Sequence, residues 1–121
     1  MSIYAISDLH LSFKDEKDMS IFSDIWKSHS NKIKENWQKN IKNDDLIIIS
    51  GDTSWAKNLK DAMLDLDFIN SLNGKKIIGY GNHDYWWNST NKLNSLYDNI
   101  FFLKNNYYIY NNYVICGTRG W

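Results

Sequence analysis

Residues able to ligate a cation or move a proton gather at three points of the chain. Asp8 and His10 are separated by a single leucine, Asp52 follows Gly51, and the turn pair Gly81-Asn82 runs directly into His83 and Asp84. Each is ordinary when taken alone: a loop carboxylate with a surface histidine, a Gly-Asp turn, an asparagine turn. Together they offer carboxylate oxygens, an imidazole and an amide oxygen, a donor set suited to hard or borderline divalent ions such as Mn²⁺, Fe²⁺ or Zn²⁺. Were Asp52 to sit between two ions it could bridge them. A pair of ions about 3.5–4 Å apart clamps a phosphoryl group and acidifies water into a nucleophile. His83, next to Asn82, is then placed to protonate a departing oxygen as general acid. Asp84 either orients His83 or caps the segment that follows.

These residues can meet only if the elements carrying them deliver them to one place. Three short apolar runs do so: "SIYAIS" (2–7) ends at Asp8, "DLIIIS" (45–50) at Gly51-Asp52, and "KKIIGY" (75–80) at Gly81-Asn82. Such runs, alternating with long amphipathic stretches, are the pattern of βαβ units and a mainly parallel sheet. Open sheets of this kind bind their ligands at the carboxyl ends of the strands. At such a strand end, Asp8 and His10 in extended geometry project to one side.

The connecting stretches have helical periodicity. Phe22, Trp26, His29, Ile33, Trp37 and Ile41 recur at three- or four-residue steps, as do Leu59, Met63, Leu66 and Ile69, the second set stopping at Asn73-Gly74. A weaker helix is predicted over 89–97. The β-prone runs 100–103, 107–110 and 113–117 follow, the last two joined through Asn111-Asn112 as a hairpin.

In order and spacing, Asp8-Leu-His10, Gly51-Asp52 and Gly81-Asn82-His83-Asp84 resemble the first three motifs of the calcineurin-like metallophosphoesterases. The runs "GDTSWA", "GNHDYWW" and "GTRGW" are similar to a bacterial subgroup of predicted phosphohydrolases. The resemblance implies an α/β/β/α sandwich with a dinuclear metal centre that hydrolyses phosphate mono- or diesters. It implies that Asp8 and His10 hold one metal, Asp52 bridges, Asn82 holds the second and His83 assists the leaving group. Arg119, the only arginine, is a candidate phosphate contact, and Asp84 a candidate supporting residue behind the ligands.

The family's two downstream histidine motifs have no counterpart, because no histidine follows His83. The expectation is therefore an amino-terminal portion, residues 1–121, of a single metallophosphoesterase domain: βαβαβα followed by short strands and a hairpin. One ion at most is expected in this chain, with low or no activity by itself. The alternative is a non-catalytic domain that keeps the fold and binds metal or a partner. An incomplete second sheet would leave an apolar flank on the hairpin and an open sheet edge, and from these a homo-oligomer or swapped dimer is expected.

Composition narrows the remaining classes. Lys plus Arg and Asp plus Glu are 14 each, so no overall field favours nucleic acid or an anionic membrane. No GxGxxG or P-loop lysine motif follows a strand, which makes a nucleotide-binding module a poor third reading. Lone Cys116 and the lack of a leader or spanning run point to a cytoplasmic protein, with Cys116 read as a small buried apolar residue. Trp55, Trp86 and Trp87 read as packing beside a turn, or as walls of the site; His29 reads as a satisfied helix-face histidine, and Lys32, Lys34, Lys39 and Lys42 as a solvated face.

Overall fold

A computed structural model describes residues 1–15 and 28–120. The elements run β1 (Ile3–Ile6), α1 (His29–Asn40), β2 (Leu46–Ile49), α2 (Leu59–Ser71), β3 (Lys75–Gly79), α3 (Thr90–Leu93), β4 (Ile100–Leu103), β5 (Asn106–Tyr110) and β6 (Tyr113–Gly117). Phe22 and Trp26, which the periodicity assigns to the first helix, lie outside the described residues.

β1 to β4 form a parallel sheet in the order β1-β2-β3-β4, and β5 and β6 form a separate antiparallel hairpin. The sheet's faces differ because side chains alternate along each strand. Ile47, Ile49, Ile78, Ile100 and Phe102 join Trp37, Ile41, Leu66, Ile69 and Leu93 in the main core on the helical side. Leu46, Ile77 and Leu103 face the hairpin, where Phe101, Tyr108, Tyr110 and Ile115 pack against them. The order of layers is thus helices, parallel sheet, hairpin: a mixed α/β architecture consistent with part of a metallophosphoesterase sandwich. β2 lies between β1 and β3 with both faces covered, which is why its sequence is an unbroken apolar run. Each such isoleucine or leucine contributes about 1.5–3 kcal/mol by leaving water.

α2 buries Ala62, Asp65, Leu66 and Ile69 on one stripe. Asn58 caps its start by accepting from Asp61 N at 2.9 Å. Its last carbonyls receive the ammonium of Lys76, a residue only 1% exposed inside β3: Nζ donates to the carbonyl oxygens of Leu72 and of Asn70. Gly74, at φ 86, then turns the chain into β3. α3 is shorter than its sequence suggests. The Asn94 side chain, at its C-cap, accepts from Phe102 N (2.7 Å) and donates to Phe102 O (3.1 Å), so the chain is drawn onto β4 instead of winding further.

Two surfaces are left open. β1 is the sheet's edge, with Ile3, Tyr4 and Ile6 36–44% exposed. The outer face of the hairpin presents Tyr107, Ile109 and Val114, each 62% exposed. Cys116 shares that face and is exposed, contrary to its sequence reading, because it pairs with outward-facing Tyr107. Among the described residues no helix is long and apolar enough to cross a membrane.

Candidate metal centre

The loops after β1 and β2 run side by side beyond the ends of their strands. Asp8 N donates to Gly51 O, His10 N to Asp52 O and Leu11 N to Thr53 O, each at 3.0 Å, and Trp55 N returns a bond to Leu11 O at 2.9 Å. The ladder therefore continues where regular strand geometry has stopped. Asp8, His10 and Asp52 all have left-handed backbones, at φ 59, 46 and 51. Only here does the structure depart from the extended geometry expected for Asp8 and His10. Left-handed residues other than glycine are uncommon and cluster at functional sites.

Their side chains converge. One ligand atom from each of Asp8, His10 and Asp52 lies within 4.8 Å of the others. His10 Nε2 is 3.5 Å from Asp8 Oδ1, and Ser7 Oγ donates to Asp8 Oδ2 at 2.6 Å. Asp8 is exposed, His10 half-buried and Asp52 buried, so the cluster opens to solvent on one side. Burial lowers the His10 pKa below its usual 6.5, outweighing the pull of Asp52 and Asp8 toward the charged form. Burial thereby favours the neutral imidazole, the form that ligates a metal.

The loop after β3 meets the other two at Asp52. His83 N donates to Asp52 Oδ1 at 2.9 Å. The Asn82 carboxamide lies against Asp52, its N–H₂ donating to Oδ1 and Oδ2 at 3.2 Å each. The Asp8 and Asp52 carboxylates and the His10 imidazole fit a divalent ion in both geometry and chemistry.

Asp84 lies beneath, 1% exposed. It neither caps a helix nor reaches the His83 ring. Its Oδ2 accepts from Asp52 N and Gly81 N at 2.8 Å, and its Oδ1 from Thr53 N (2.9 Å), Ser54 N (3.3 Å) and Trp86 Nε1 (3.1 Å). One carboxylate thus ties the second loop to the third. Burial pushes its pKa up to about 6, against these backbone donors, which favour the charged form. The loops can come this close because glycines face each other: a Cβ on Gly51 would stand 2.8 Å from Gly81 Cα, and one on Gly81 would overlap the Asp52 backbone nitrogen.

Some supports were not apparent in the sequence. Asp65, on the buried stripe of α2, accepts from Phe13 N at 2.9 Å and from Ser54 Oγ, and burial raises its pKa. An acid spaced three and four residues from Ala62 and Ile69 on an apolar face was the available signal. His29 Nε2 lies 3.0 Å from Leu9 O and braces the first loop, in keeping with a satisfied histidine. Trp86 and Trp87 belong to the core, whereas Trp55 lies against His10 and His83. Arg119 is exposed just after β6, whose end is tied to the β4 carboxyl end by Asn105 N donating to Gly117 O at 2.7 Å.

A sequence model of calcineurin-like phosphoesterases matches residues 1–120. The chain belongs to the calcineurin-like phosphoesterase family. No curated relative matches it. Among solved structures, this calcineurin-like phosphoesterase chain is similar in fold to a protein of unknown function from Aquifex aeolicus, with a TM-score of 0.54 and 24% identity. The match covers 94% of this chain and 58% of that one, so the chain spans little more than half of that relative's length.

Proposed function

We propose that this chain carries the metal-binding core of a hydrolase of phosphate mono- or diesters. The single observation behind this reading is the convergence of Asp8, His10 and Asp52 within 4.8 Å, in a chain of this family. Asp8, His10 and Asp52 would hold one divalent ion of the Mn, Fe or Zn type, and Asp52 with Asn82 would offer part of a second site. A bound ion supplies Lewis acidity, polarising a phosphoryl oxygen and acidifying water.

The chain's own groups account for the rest. His83, fixed through its backbone to Asp52, donates a proton to the departing ester oxygen. Asp84 holds the Asp52 and Gly81 amides and so keeps the second and third loops in register. Arg119 would contact the substrate phosphate from the end of the sheet that bears the loops.

The test is metal titration combined with hydrolysis of an aryl phosphate. Asp52→Asn is expected to lose metal, and His83→Ala to lose turnover while keeping it. Full turnover by His83→Ala would remove the proton-donor role, and undiminished metal binding by Asp52→Asn would remove the centre. A second reading, a metal-binding domain that works through a partner, is favoured by the apolar outer face of the hairpin. Metal binding without turnover at any substrate concentration would select it.

A further inference from the structure

The indole of Trp55 lies against two imidazoles delivered by different loops. Its ring is 4.8 Å from that of His10, with the planes 23° apart, and 5.2 Å from that of His83, with the planes at 43°. The two imidazoles are 6.3 Å from each other. Trp55 is itself held firmly, since Trp55 N donates to Leu11 O and the adjoining Ser54 bridges Leu11. The ladder that sets the backbone of His10 therefore also sets the indole. His83 also meets Tyr85, with centroids 6.1 Å apart, the rings nearly perpendicular and the Tyr85 hydroxyl 3.5 Å from His83 Nδ1.

We propose that Trp55 is a positioning residue for the metal centre, its π face fixing the His10 ring for ligation and the His83 ring for proton donation. The inference rests on the roles proposed above for those two histidines. An imidazole turns about its outer torsion over a broad, roughly two-fold well, so a ring at a solvent-facing cleft needs a neighbour to select one orientation. A stacked aromatic plane does this without using either ring nitrogen. A simple packing role would need only apolar volume, and this separates the two explanations.

The experiment uses the full chain with Zn²⁺ as probe, comparing the native protein with Trp55→Phe and Trp55→Leu by calorimetry, alongside NMR of the imidazole protons without metal. Trp55→Leu is expected to weaken Zn²⁺ binding about tenfold or more, whereas Trp55→Phe retains most of the affinity. In the native chain the His10 ring protons should be shifted upfield by the indole, and that shift should vanish in Trp55→Leu. Equal affinity in all three proteins, or equal losses in Phe and Leu, would overturn the proposal. So would His10 ring protons at random-coil positions in the native chain, a readout that does not depend on either variant folding. Asp52→Asn keeps the two levels apart: if it abolishes Zn²⁺ binding while Trp55→Leu binds normally, only the role of Trp55 fails. If Asp52→Asn binds like the native chain, the metal centre itself is wrong.

Discussion

The buried carboxylate of Asp84 accepts the backbone N–H of Asp52 at 2.8 Å, across a separation of 32 residues. The same side chain takes four further N–H donors, so its removal strands them in a region that water does not reach. Each unsatisfied buried donor costs about 1–3 kcal/mol, although the loops can relax to recover part of this. Asp84→Ala is expected to lower stability by about 3–5 kcal/mol and to abolish metal binding; Asp84→Asn, which keeps one acceptor oxygen, should lose less. Urea unfolding of the three proteins checks the order.

Gly81→Ala tests the close approach of the second and third loops. Its Cβ would collide with backbone, the nitrogen of Asp52, and no side-chain rotation relieves that. A loss of about 3 kcal/mol, or failure to fold, is expected, and metal affinity should fall even where the variant folds. Native-like melting and metal binding would show that the loops sit further apart.

Metal affinity should fall with acidification. His10 must be neutral to ligate, and burial holds its pKa below 6.5, so the proton competes only in more acidic solution. Affinity is expected to be nearly flat from pH 7 to 8, and to drop by up to about tenfold per pH unit once His10 protonates. Titrations across that range, repeated with His10→Gln, measure it; the variant should bind weakly and lose this component of the pH dependence.

Lys76 makes stability rise with pH on the alkaline side. Burial lowers its pKa from 10.5 to about 8, so between these values the unfolded chain holds the proton and the folded chain does not. The cost of the buried charge is complete below pH 8 and disappears above 10.5, a change on the order of 2–3 kcal/mol. Melting of the native chain and Lys76→Met at pH 7.5 and pH 10 should show the native protein gaining on the variant. Parallel behaviour would mean that the ammonium reaches water.

The outer face of the hairpin should drive self-association. Tyr107, Ile109 and Val114 form a continuous apolar surface, each residue 62% exposed. Sedimentation velocity over a wide concentration range is expected to show oligomers in the native chain and monomers in an Ile109→Lys, Val114→Lys variant. A native chain that stays monomeric throughout would count against the surface as an interface.

The sequence alone determined the order of elements and the positions of the chemical residues, because hydrophobic periodicity and strand-end punctuation are local properties. Leu46 to Ile49 read as a buried strand and Leu59 to Ile69 as a helix, and both fold so. The family resemblance likewise rested on short stretches of chain. What it could not contain was the relation between stretches. The left-handed backbones of Asp8, His10 and Asp52 arise where the first two loops pair beyond their strands; Asp and His tolerate that conformation, but only the pairing imposes it at these three positions. Asp84 became a junction for two loops instead of a cap because the amides at 52–54 were carried to it by β2. Trp55 read as packing or as a wall of the site until the fold set its ring against two imidazoles. Cys116 looked buried because an apolar strand does not state which of its faces meets the sheet. In each instance the deciding contact joins residues distant in sequence, and only the packed chain brings them within range.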